Sequence, residues 1–141
     1  TLDKDLQSEV LGFEPMVIIP SGLKPLKWPK NDPLSVITIE DHSGAWRSFK
    51  GEAERLNIHR EVSLESFFGV AQMAIAGFGN GLVPIGVART LNVPEKIIVN
   101  LGERGLRRPV RFVARKSTYA LPMVSSFFQA LMQRLGTGTV G

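Results

Sequence analysis

No cysteine occurs anywhere in the 141 residues. Disulfides, thiolate metal sites and thiol redox switches are therefore excluded. Histidine is nearly absent, with only His42 and His59 present. Asp41-His42-Ser43 has the letters of a catalytic triad, but consecutive side chains point apart and cannot form a nucleophile–base–orienter array. His59 falls in a strand-like segment with no partner at useful spacing. No catalytic residue, metal site or cofactor is expected. Long apolar runs are also lacking. The longest, Ser66 to Gly77, is broken by Gln72 and is too short to span a bilayer. Thr1-Leu2-Asp3-Lys4-Asp5 mixes both charge signs with no apolar block, so no signal peptide is read there. The expectation is a cytoplasmic protein without membrane contact.

What is present suffices for a core. Hydrophobic residues make up 43% and charged residues 21%, which fits one ordinary domain, or one and a part. The net charge is +4 with a pI near 9.8. The basic residues are spread, apart from Arg104, Arg107, Arg108, Arg111, Arg115 and Lys116. That group lies in a strand-like segment without interleaved aromatics. A solvated edge or a subunit contact explains it better than nucleic-acid binding.

Hydrophobic spacing predicts strands at residues 13–20, 35–40, 58–62, 82–83, 96–101 and 109–114. Residues 21–34, with Gly22, Pro25, Pro29 and Pro33, form a loop. Trp46, Phe49, Ala53 and Leu56 recur three or four apart, behind the capping residues Asp41 and Ser43. A second helix is expected from a Ser63 cap to about Ala76, with Leu64, Phe67, Phe68, Ala71 and Ile75 as its stripe, widened by Val70, Met73 and Ala74. This nearly all-apolar surface should make it the most buried. Residues 85–91 suit one or two helical turns. A last helix starts at Pro122 and carries Val124, Phe127, Phe128, Leu131 and Leu135. Residues 136–141 make a frayed tail. Alternating strands and helices predict an α/β sheet with crossover connections.

Gly77-Phe78-Gly79-Asn80-Gly81 superficially matches a dinucleotide-binding loop. That loop follows a strand and opens a helix, whereas here a helix precedes and a strand follows. The glycines instead suit a helix C-cap and a tight turn. Glu40-Asp41-His42-Ser43-Gly44 joins a strand to a helix, the place where open α/β sheets bind ligands. Free N–H groups of residues 44–46 attract an anion there, and Ser43 offers a hydroxyl. A plain helix cap explains the same residues equally well. Ser63, at the next expected helix start, carries the same two readings.

The order of these parts resembles the effector domain of LysR-type transcriptional regulators. Val62-Ser63-Leu64-Glu65, a long apolar helix, and Ala76-Gly77-Phe78-Gly79-Asn80-Gly81-Leu82-Val83-Pro84 carry the resemblance. Arg107 to Lys116 is similar to that family's return strand, and Leu121-Pro122 to Leu135 to its last helix. Leu6 to Pro20 is similar to the segment crossing from the first lobe to the second. The resemblance implies an α/β fold like type 2 periplasmic binding proteins, with one complete lobe plus part of a second. Residues 15–109 would be regulatory lobe II, and residues 1–14 and 110–135 the remainder of lobe I. It implies that a winged helix-turn-helix, its linker helix and roughly 70 residues of the first lobe lie outside this sequence. A sheet short of its neighbours exposes edges, so a proteolytic fragment or pairing with a second copy is expected.

The implied function is to bind a small-molecule effector in a cleft between the lobes, altering DNA contacts made by the absent N-terminal domain. The implied partners are that effector and further copies of the chain, as a dimer or tetramer in the parent. Effector-binding candidates are Thr38, Glu40, Asp41, His42, Ser43 and Ser63. Many relatives bind carboxylated effectors, but Glu40 and Asp41 oppose an anion at this wall, so a zwitterionic or cationic effector, or an empty wall with contacts from the absent part of lobe I, is equally admissible. The competing reading is a solute-binding protein of a transport system with the same fold, which a signal peptide or lipidated cysteine would mark. An enzyme lacks a supporting acid–base pair or nucleophile here. A direct DNA-binding module needs less apolar helices than these.

Overall fold

The computed structural model describes residues 6–28, 32–41 and 44–115, together with 129, 130 and 133. The chain divides into two compact units: Glu14–Arg108, and Thr1–Phe13 with Pro109–Gly141. Two long strands, β1 (Leu6–Ile19) and β6 (Arg107–Arg115), pair with each other and each run from one unit into the other. The expected last helix, from Pro122, lies largely outside the described residues.

Within Glu14–Arg108, β2 (Leu34–Ile39), β3 (Ile58–Leu64), β4 (Asn80–Pro84) and β5 (Val99–Asn100) complete a sheet ordered β3-β2-β4-β1-β5. β2 lies parallel to both β3 and β4, whereas β1 is antiparallel to β4 and β5. Helix α1 (Ala45–Arg55) connects β2 to β3, and α2 (Phe67–Ile75) carries the chain back past β2 to β4. The six-residue α3 (Ile85–Thr90) follows β4 directly.

Strand alternation feeds two apolar layers, one on each face of this sheet. Met16, Ile18, Val36 and Leu82 pack with Trp46, Phe49 and Ala53 of α1. Val17, Ile19, Ile37 and Val83 pack with Val70, Ala71 and Ala74 of α2 and with Val87 and Ala88 of α3. Trp46 and Phe49 meet edge to face, 5.4 Å between ring centroids. The stripe expected for α1 is the stripe it buries. Trp28 docks on the first layer, its indole N–H donating to the Asp32 carbonyl at 2.8 Å.

Three local expectations are corrected. The second helix starts at Phe67 rather than after Ser63, because β3 keeps pairing with β2 through Ser63 and Leu64. The hydroxyl of Ser66 caps it instead, accepting from the Gly69 amide. That helix is also less enclosed than its composition suggests: Phe68 is 46% exposed, and Phe78 just beyond it 72%. The strand expected over 96–101 shrinks to Val99–Asn100, because the Ile97 and Ile98 amides bond back to Pro94 and Glu95 in a turn. Of the clustered glycines, Gly77 alone adopts positive φ, at 92°. Gly81 serves close packing, since a Cβ there would lie 2.9 Å from the Ala74 Cβ. No helix among the described residues is long and apolar enough to cross a membrane.

Candidate functional site

The sheet reverses its winding direction beside β2. From the C-terminal end of β2 the chain leaves to α1 on one face, and from the end of the adjacent parallel β4 it leaves to α3 on the other. Two connections departing to opposite faces leave a crevice between them, the usual ligand position in open α/β sheets. Thr38 spans this point. It is fully buried, and its hydroxyl donates to the Leu82 carbonyl across from β2 to β4 at 2.7 Å.

Glu40, Asp41 and Ser63 lie at the same edge. Ser63 stands directly opposite Thr38 in the β2–β3 register and is exposed. The Glu40 amide donates to the Leu64 carbonyl at 2.8 Å, which carries the pairing one residue past β2. Asp41 follows, and its Oδ2 accepts from Arg47 Nε at 3.2 Å. Its other oxygen, Oδ1, is enclosed and finds no partner among the described residues. His42 and Ser43 lie outside the described residues. Gly44 takes the N-cap of α1 at φ 73°, so the cap residue itself has no side chain to offer the helix amides, and no acid occupies the first turn. Arg60 reaches the same edge from β3. It donates to the Ile39 carbonyl at 2.9 Å and lies 4.5 Å from the centre of the Trp46 ring.

A second cluster, not foreseen from the sequence, sits at the end of β4. Glu14 on β1 accepts from the Gly86 amide through Oε2 at 2.8 Å. Its Oε1 takes two N–H groups of Arg108, from Nε at 3.2 Å and Nη2 at 3.0 Å. The same guanidinium stands 5.6 Å from the ring centre of Phe67, the first residue of α2. Both side chains are mostly enclosed, 18% exposed for Glu14 and 32% for Arg108. Each stands beside a proline, Glu14 before Pro15 and Arg108 before Pro109, but nothing in the sequence links the two positions. The basic run expected as one edge or contact is in fact divided. Arg104 lies 5.2 Å from the Trp28 ring and Arg107 bonds the Gly102 carbonyl, while Arg108 turns to Glu14.

The architecture is similar to solved regulatory domains. The regulatory domain of CcmR from Synechocystis PCC6803, solved in complex with 2-PG, matches with a TM-score of 0.62 at 17% identity, over 96% of this chain and 70% of that one. The reduced regulatory domain of OxyR2 from Vibrio vulnificus matches at 0.58 and 18% identity, covering 96% and 68%. Vibrio fischeri DarR, solved with DNA, matches at 0.60 and 13% identity, over 92% of this chain and 46% of that longer one. At such identities the likeness establishes the fold, an α/β fold of the periplasmic-binding-protein kind. No curated protein sequence gives a significant match. The family model for the LysR substrate binding domain matches residues 1–136, nearly the whole chain, and the chain therefore belongs to that family of transcription-regulator domains.

Proposed function

We propose that the chain is the effector-sensing part of a LysR-type regulator, and that it binds a small metabolite without transforming it. The effector is read at the C-terminal edge of β2 and β4, in a cleft between lobes. Residues 15–109 form lobe II, and 1–14 with 110–135 belong to lobe I. DNA contacts come from an N-terminal domain of a longer parent, and copies of the parent associate as a dimer or tetramer. The observation that carries this reading is the winding reversal beside β2, with Asp41 at its rim, its Oδ1 without a partner among the described residues. An enclosed carboxylate oxygen without a donor is costly, and a ligand N–H or O–H removes that cost.

The chemistry favours an effector that carries both a donor and an anionic group. Asp41 Oδ1 and Glu40 supply acceptors, and the exposed Ser63 hydroxyl can serve either way. The N-terminal end of α1 carries the positive end of the helix dipole, which favours an anion, and Arg47 partly offsets the Asp41 charge that would otherwise repel one. CcmR was solved with 2-PG and an OxyR2 regulatory domain with sulfate, both consistent with anion recognition on this fold. Thr38 supports the wall from within, and His42 and Ser43 remain effector-binding candidates.

The test is thermal unfolding of the chain against a panel of amino acids, hydroxy acids and phosphate esters. A ligand present at one hundred times its Kd stabilises by about 2.7 kcal/mol, a shift of several degrees. The expected result is a hit bearing a donor group whose stabilisation is lost in Asp41→Ala and in Ser63→Ala. A hit that both variants bind normally would place the effector elsewhere.

A further inference from the structure

Glu14 and Arg108 are the residues of Glu14–Arg108 at which the two crossing strands leave it: Phe13 and Pro109, the next residues outward, belong to the other unit. They stand 94 positions apart in sequence and share a charge-assisted, two-pronged bond. Glu14 simultaneously holds the Gly86 amide at the start of α3, and Arg108 lies on the Phe67 ring at the start of α2. Gly86 is shaped for this. A Cβ there would lie 2.7 Å from Glu14 Oε2, so any larger residue displaces the carboxylate.

We propose that Glu14, Arg108, Gly86 and Phe67 form a latch coupling the effector wall to the crossing strands. One carboxylate and one guanidinium tie both exit points to the two turns that open α2 and α3. A displacement of either turn then moves both crossings together, because the ion pair leaves neither strand an independent route. A surface ion pair contributes little and transmits nothing. This pair is largely enclosed and has further partners on both sides, which makes it a junction of four segments. Its role as a relay rests on the proposed effector wall, whereas its mechanical coupling of the strands does not.

Amide hydrogen exchange on the 141-residue chain separates these parts without any ligand. In Glu14→Ala the Gly86 amide should exchange about tenfold or more faster, the factor for losing one charge-assisted bond. Amides over 12–16 and 106–110 should accelerate with it, while those of β2 over 34–39 stay protected. Gly86→Ala, which evicts the carboxylate but leaves both charges, should reproduce the acceleration at 106–110. It also serves if Glu14→Ala does not fold. In the double variant Glu14→Ala/Arg108→Ala the effects at 106–110 should be no larger than in either single one. Acceleration confined to residue 86, or additive effects of the two substitutions, would overturn the latch. A normal latch in a chain whose effector hit ignores Asp41 and Ser63 would overturn only the effector wall.

Discussion

Ser63 and Ser66 stand three residues apart, and a sequence pattern alone assigns the cap to the first. Both are hydroxyls before an apolar run, and Glu65 in the expected first turn strengthens Ser63. The competition is decided by hydrogen bonds that no local pattern contains. Ser63 is paired against Thr38 in β2, whereas Ser66 accepts from the Gly69 amide at 3.3 Å. Ser66→Ala should therefore destabilise the chain by about 1 kcal/mol in urea unfolding. Ser63→Ala, at an exposed strand position, should stay within about 0.5 kcal/mol. The reverse order would restore the cap to Ser63. Thr38 teaches a related lesson. Its place at the end of a strand was visible, but its buried bond to the Leu82 carbonyl depends on β4 lying alongside β2.

At the scale of elements, periodicity served best where one face alone is apolar. Trp46, Phe49 and Ala53 repeat at helical spacing and are the buried residues of α1. For α2 the expected stripe is displaced, with Phe68 exposed and Val70 and Ala74 buried, because an all-round apolar composition does not mark the inner face. The inner face is Val70, Ala71 and Ala74. Gly81 fixes how closely that face approaches β4. Gly81→Val should cost about 1–3 kcal/mol by overpacking against Ala74 and Val70, read from the urea midpoint at unchanged slope. The run Lys96–Leu101 was misread because Ile97, Ile98 and Val99 have strand composition. Glu95, Lys96 and Ile97 are instead a turn behind Pro94, and Ile97 and Ile98 pack on the second apolar layer from there. Burial explains those side chains without a strand.

At the scale of the molecule, the α/β class and the family are both legible in the sequence. They are carried by element order along the chain, which survives where sequence identity to solved relatives falls to 13–18%. The exit of β2 toward α1, at Glu40 and Asp41, is legible for the same reason. The Glu14–Arg108 pair is not, because its partners, 94 positions apart, are brought together only by the pairing of the two crossing strands. The most direct test of the proposed sensing role is exchange mapping of the chain with and without the metabolite that most raises its Tm. Protection should increase over 38–46 and 62–67 and around Gly86, at the C-terminal edge of β2, β3 and β4. Protection confined to the opposite edge, at Trp28 or over 55–58, would contradict an effector wall built on Glu40, Asp41 and Ser63.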